Sequence, residues 1–230
     1  MGTVHPPEIL DYLSGVDSPT ISNAIETFEV RDRSEGFMGP KMQCRFPEMG
    51  AMCGYAVTVT VDTIDRSNPP KTDAYTNFRQ FQAMTDSPKP SIVVVQDLSK
   101  RHGWSAHWGE IMGSFAKALG ALGTVTDGAV RDLDALKAIG FNTWSTHVCV
   151  SHGDLHVVDV GIPLEICGLH VEQGDLLHCD LNGVVSIPHD LVPKMSETVH
   201  TILQNEQNIF AWVRHPDFTV ETFKEKMGVS

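Results

Sequence analysis

Apolar and polar positions along the chain follow two periods. Behind Ser18-Pro19-Thr20, Ile21, Ala24, Ile25 and Phe28 fall at helical spacing, predicting a helix capped by Ser18 with a proline in its first turn. From Met52 to Val61 the period drops to two: Cys53, Tyr55, Val57, Val59 and Val61 alternate with smaller or polar residues, the pattern of a half-buried strand. Turn-forming residues from Asp65 to Thr72 lead into a helix through Phe78 and Phe81, and Ser91-Ile92-Val93-Val94-Val95 reads as a central strand. Trp108, Ile111, Met112, Phe115, Ala116 and Leu119 then recur at helical intervals, with Gly120 as the stop.

The alternation continues with a short strand at Leu122 to Thr126, a short helix from Asp132 to Ile139 ended by Gly140, and strand again from Thr143. Between Val157 and Ile187, short strands separated by Gly161-Ile162-Pro163, Gly168, Gly174-Asp175 and Asn182-Gly183 read as a compact β module. A long helix from His189 to Val213 follows, with Met195, Val199, Ile202, Leu203, Ile209, Phe210 and Val213 on one broad face and Glu206 inside that stripe. No repeat or linker divides the pattern. The expected organisation is one α/β domain over 1–230, with N-terminal helices at 7–30, an α/β core at 50–145, a β module at 146–188 and C-terminal helices at 189–227.

Composition narrows the function. At 230 residues and 41% hydrophobic, the chain suffices for one filled core. No apolar run approaches the roughly 20 residues of a membrane span, and the start Met1-Gly2-Thr3-Val4-His5-Pro6-Pro7 lacks a basic, apolar signal pattern, so a cytoplasmic location is expected. Five cysteines without a Cys-x-x-Cys pair read as reduced thiols. A net charge of −12 with no lysine or arginine run argues against nucleic acid. An anionic small ligand would need a local positive site from arginine, a helix N-terminus or a metal ion.

Two segments offer such a site. In Val125-Thr126-Asp127-Gly128-Ala129-Val130-Arg131-Asp132, an apolar strand ends in a glycine turn and delivers Arg131 and Asp132 to a helix start, a common ligand position in α/β proteins. The same residues also read as a helix N-cap and a surface ion pair. In His107-Trp108-Gly109-Glu110, free N–H groups at a helix start and a glycine would cradle a carboxylate, while Glu110 also reads as an ordinary first-turn acid. Eleven histidines include His102, His107, His147, His152 and His156 near these loops, but none pairs at metal-ligand spacing on a helix.

Trp-Gly-Glu, then twenty residues after Glu110, then Arg131-Asp132, resembles the motif of the RraA-like family. The lead-in Asp127-Gly128-Ala129-Val130 is similar, as are Pro163-Leu164-Glu165 through Gly174-Asp175 and Asp180-Leu181-Asn182-Gly183-Val184. The likeness runs from the Ser18 helix to about Val213. It implies a swivelling β/β/α fold, trimers or dimers of trimers, and one of two activities. One is a metal-dependent aldolase cleaving a 4-hydroxy-2-oxo dicarboxylic acid such as 4-hydroxy-4-methyl-2-oxoglutarate to pyruvate, with oxaloacetate decarboxylation beside it. The other is regulation of a ribonuclease by contact; a related lyase or hydratase for another hydroxy acid is a variant of the first.

Carried over by residue, the resemblance implies that Asp132 binds the metal directly and that Glu110 holds metal-bound water, where the aldolases usually have Asp. Arg131, with Gly109, Glu110, Ile111 and Met112, would bind the small 2-oxo acid. Glu206, from a neighbouring subunit, would complete the site through water. A carboxylate within an apolar stripe needs a partner, which independently directs attention to Glu206; pairing with an exposed cation at the stripe's edge is the alternative. Breaking a carbon–carbon bond beside a 2-oxo acid needs an electron sink, a lysine Schiff base or a metal. No lysine occupies the matched positions, and oxygen ligands point to Mg2+ or Mn2+.

Overall fold

A computed structural model describes residues 3–63 and 74–228, so the turn expected between Asp65 and Thr72 lies outside the described residues. Helices α1 (Pro7–Ser14) and α2 (Ser18–Glu26) precede β1 (Gln43–Cys44) and a single 3-10 turn at Pro47–Met49. The alternating part comprises β2 (Met52–Thr63), α3 (Ala74–Asp86), β3 (Ser91–Asp97), β4 (Ala106–Trp108), α4 (Glu110–Ala118), β5 (Ala121–Val130), α5 (Leu133–Ala138) and β6 (Asn142–Val148). Strands β7 (Leu155–Val160), β8 (Leu164–Ile166), β9 (Leu169–Val171), β10 (Leu176–Asp180) and β11 (Gly183–Ile187) follow, then α6 (Val192–Val213) and α7 (Val220–Met227).

The main sheet has the order β1-β6-β5-β3-β2-β10-β11, with β4 against β5 and β7 against β2. Strands β2, β3, β5 and β6 are parallel. The spine is β2: β3 pairs along one edge, while the other edge takes β10 at its start and β7 at its end, both antiparallel. Both edges of β2 are therefore paired. From Cys53 to Val61 every residue is buried, and the expected half-buried strand is a fully enclosed one.

Cys53 and Tyr55 face α1, α2 and α6, whereas Val57, Val59 and Val61 face α4, α5 and Phe141 farther along the same side. On the other side, Ala56 joins Val94, Val125, Trp144, Leu177, Cys179 and Val184 in one cluster closed by the β8–β9 hairpin. Trp144 of β6 donates its indole N–H to the Asp180 carbonyl of β10 at 2.7 Å, so strands from opposite halves of the sheet meet. The sheet curls into a nearly closed, barrel-like form. Strands β10 and β11, expected in a compact β module, belong to this sheet; among the described residues the β8–β9 hairpin alone stands apart.

Several boundaries differ from the expected ones. The cap of α2 is Asp17, whose carboxylate accepts from Thr20 N at 2.8 Å; Ser18, expected as the cap, is the first helical residue. Ser18 instead bonds inward, its N–H to Asp180 and its hydroxyl to His178 Nδ1 at 2.9 Å, tying α2 to β10. Strand β5 does not stop at a glycine turn but passes through Asp127-Gly128 as an irregularity in its pairing with β6 and ends at Val130. Trp108, expected in the α4 stripe, is a fully buried β4 residue, and Ile111 and Phe115 of that stripe are exposed.

Candidate active site at the start of helices α4 and α5

The 98–105 loop that delivers β4 is fixed by two aspartates. Asp97 accepts from Ser99 N at 2.9 Å and Gly103 N at 3.0 Å, and Asp127 accepts from Asp97 N at 2.8 Å. Burial pushes the Asp127 carboxyl above its usual range, with His102 opposing that shift from 3.4 Å. Neither aspartate was singled out from the sequence as positioning this loop. The available signal was Asp97 two residues before Ser99, an aspartate set to bond its own backbone two residues on.

Strand β4 then lies against the end of β5, with Trp108 beside Val130, and Arg131 N–H donates to the Trp108 carbonyl at 2.9 Å. That bond places Gly109 directly against Arg131-Asp132. A Cβ on Gly109 would lie 2.5 Å from Asp132 Oδ2 and 3.1 Å from Arg131 Nε, so only glycine fits without displacement. Asp132 has left-handed backbone, φ 53° and ψ 44°, which Asp tolerates better than most residues. Its side chain makes no cap bond to α5; instead Oδ2 accepts from Glu110 N at 3.2 Å. The N-cap alternative for the Asp132 side chain is therefore replaced by a bond across to α4.

The surface ion pair read from the sequence is present in loose form, with Arg131 Nε 3.6 Å from Asp132 Oδ2. Both side chains are partly exposed, 32% and 40%. The first α4 bond runs from Gly113 N to Gly109 O, which leaves the N–H groups of Glu110, Ile111 and Met112 without intrahelical acceptors. Glu110 N is already taken by Asp132, so Ile111 and Met112 N–H are the open donors for an anion, with Arg131 packed on the preceding Gly109. The Glu110 carboxylate is exposed at this mouth.

Glu206 is not brought to this centre within the chain. It lies beyond Val199, the last buried residue of α6, and α6 packs on α1 and α2 rather than α4. Seven further helical residues carry it about 10 Å past that packing. The broad apolar face expected for α6 splits accordingly: Met195 and Val199 are buried, while Ile209, Phe210 and Val213 are about half exposed.

A divalent cation can be tested against these residues. Among the described residues no three His, Cys, Asp or Glu side chains converge on one point. One partly exposed carboxylate, Asp132, bonded to the backbone N–H of Glu110, whose own carboxylate is exposed, fits an Mg2+-like ion, which keeps several waters and needs one or two carboxylates. A histidine-rich zinc site does not fit.

A fold of this kind, with an Arg-Asp pair lodged against the start of a helix, defines a class, and comparison with known sequences agrees. The RraA-like (Aldolase/RraA) profile matches residues 18–186, and the chain belongs to that family. It is 31% identical over 122 residues to the uncharacterized protein MJ0644 of Methanocaldococcus jannaschii, covering 53% of this chain and 59% of that one. Over 113 residues it is 28% identical to the "Putative 4-hydroxy-4-methyl-2-oxoglutarate aldolase" of Halalkalibacterium halodurans, covering 49% of this chain and 53% of the other. The chain thus spans little more than half the length of these curated relatives. Among solved structures, an uncharacterized protein from Pseudomonas syringae pv. tomato matches with TM-score 0.73 and 25% identity, covering 97% and 96% of the two chains. Streptomyces coelicolor RraAS2, described as an unusual member of the RNase ES inhibitor RraA family, shares the fold with TM-score 0.70 at 18% identity, covering 93% and 100%.

Proposed function

We propose that the protein is a divalent-metal-dependent carbon–carbon lyase that releases pyruvate from a 4-hydroxy-2-oxo acid and also decarboxylates oxaloacetate. The observation that carries this reading is the left-handed Asp132 packed on Gly109, which sets one free-edged carboxylate and one guanidinium beside two open helix N–H groups. An aldolase name among the relatives supports the reaction class, with 4-hydroxy-4-methyl-2-oxoglutarate as the first substrate to try.

Asp132 would hold Mg2+ or Mn2+, and Glu110, with Glu206 from a neighbouring copy, would orient water around it. The ion, when bound, supplies the electron sink for charge that develops at the 2-oxo group. The rest falls to the chain. Ile111 and Met112 N–H would bind the substrate carboxylate, with Arg131 beside them neutralising it and the enolate oxygen that follows. Arg131 thereby does what the net charge of −12 makes necessary, creating a local positive site on an acidic protein. Glu110, exposed at the mouth, would accept the proton of the 4-hydroxyl group through water.

A homotrimer or hexamer would bring Glu206 to the site and cover the exposed side chains of Ile111 (70%) and Phe115 (53%) on α4. Those same exposed residues favour a second reading, in which the chain regulates a ribonuclease by contact and has no turnover. Mn2+ binding followed by titration calorimetry separates the two: the lyase reading expects binding by wild type and its loss in Asp132→Asn with an unchanged circular dichroism spectrum. Equal binding by both proteins would remove Asp132 from the site.

A further inference from the structure

The groups of the candidate site are carried on two different elements. Arg131 and Asp132 follow β5, whereas Glu110, Ile111 and Met112 begin α4, which β4 delivers. Strand β4 has three residues and meets β5 only at Ala106↔Ala129 and Trp108↔Val130, with an irregularity between the two pairs. The remaining ties are the Arg131 N–H bond to the Trp108 carbonyl, the Glu110 N–H bond to Asp132 Oδ2 and the packing of Gly109 on Asp132. So short a pairing leaves the register of α4 against Arg131 dependent on what holds the chain before β4.

That chain is the 98–105 loop, and it is held by buried charge. Asp97, 6% exposed, accepts from Ser99 N with Oδ1 and from Gly103 N with Oδ2. Asp127 Oδ1 accepts from Asp97 N at 2.8 Å, and its Oδ2 faces His102 Nε2 at 3.4 Å. Bonds to an ionised acceptor are roughly twice as strong as neutral ones. Gly103, at φ 74°, lies against the His147 ring, where a Cβ would come within 2.5 Å. Ala106 N–H then donates to the Ser151 carbonyl at 2.9 Å as β4 begins.

We infer that Asp97 and Asp127 are positioning residues of the site: through the loop they hold β4 on β5 and keep the open N–H groups of Ile111 and Met112 in register with Arg131. The role rests on the proposed lyase activity, since the anion that needs both elements is the carboxylate of the 2-oxo acid. Loosening the loop removes no group from the site. It lets α4 and Arg131 drift relative to each other, which weakens binding of an anion held by both. A change of that kind raises KM and a dissociation constant, whereas loss of folded protein lowers only the apparent kcat.

The test uses the whole protein with Mn2+, oxaloacetate as substrate and oxalate, an anion with no bond for the lyase to cleave, as the calorimetric probe. Asp127→Ala is expected to raise KM and the oxalate Kd together, at least fivefold, and to speed hydrogen exchange at the Arg131 amide at least tenfold with the Val94 amide of β3 unchanged. Asp127→Asn keeps an acceptor for Asp97 N–H and is expected to stay within twofold of wild type in all three. Should Asp127→Ala not fold, Gly103→Ala displaces the loop through His147 with both aspartates in place, and the same three changes are expected. A folded variant with wild-type KM, Kd and exchange would overturn the positioning role and leave the lyase standing. Wild type that neither binds oxalate nor releases pyruvate would overturn the lyase reading and this role with it.

Discussion

Asp132 and Gly109 are coupled so closely that each can be tested through the other. Because a Cβ on Gly109 would meet Asp132 Oδ2 at 2.5 Å, Gly109→Ala is expected to push the carboxylate away and lower oxaloacetate decarboxylation at least tenfold. Thermal unfolding should change little, since the displaced carboxylate is 40% exposed. Unchanged kinetics would mean that Asp132 is not held by this contact. His107 sets a pH dependence. The unfolded chain takes up this proton near 6.5 and the folded chain only at about 4, so its contribution is complete above 6.5 and is lost as pH falls toward 4. At about 1.4 kcal/mol per unit the loss is about 3 kcal/mol. Burial shifts His5 and His178 in the same direction, while Asp127, pushed up by burial, works in the opposite sense. Urea midpoints from pH 7 to 4 should therefore fall less steeply for His107→Gln than for wild type, and parallel curves would contradict the shift.

At the scale of elements, α6 divides into an anchored and a projecting half. Met195 is fully buried against α1 and α2, and Met195→Ala is expected to cost about 2–5 kcal/mol by denaturant titration. Phe210, 52% exposed, contributes little to one chain's fold; if the proposed homotrimer or hexamer forms through this face, Phe210→Ala should shift it toward monomer in sedimentation velocity. An unchanged mass distribution would disconnect this face from assembly. The period of α6 was legible in the sequence, but not its division, because the period does not say that packing on α1 and α2 ends at Val199. Likewise, the alternation of Cys53 to Val61 identified β2 without revealing that both its faces are covered, since one is closed by helices and the other by a curled sheet and the β8–β9 hairpin more than a hundred positions away. The Arg131-Asp132 motif was legible as a motif. The left-handed turn that aims Asp132 at Glu110 N was not, because β4 has to lie on β5 before Gly109 reaches it. Asp17 and Ser18 are both good cap residues ahead of Pro19, and only the bond from Ser18 to His178 decides between them.

For the whole molecule, a curled sheet joined across by Trp144 and Asp180 gives a rigid frame, with the candidate site at the open ends of its parallel strands. Ligands in parallel α/β sheets sit at those ends because helix starts gather there. No helix among the described residues is long and apolar enough to cross a membrane. The central claim is the metal-dependent release of pyruvate, and it is tested most directly on purified wild type with 4-hydroxy-4-methyl-2-oxoglutarate and with oxaloacetate, in Mg2+, Mn2+ or EDTA. Pyruvate release that EDTA abolishes and added metal restores is the expected result; no release from either acid under any metal would contradict the account and leave the ribonuclease-regulator reading in its place.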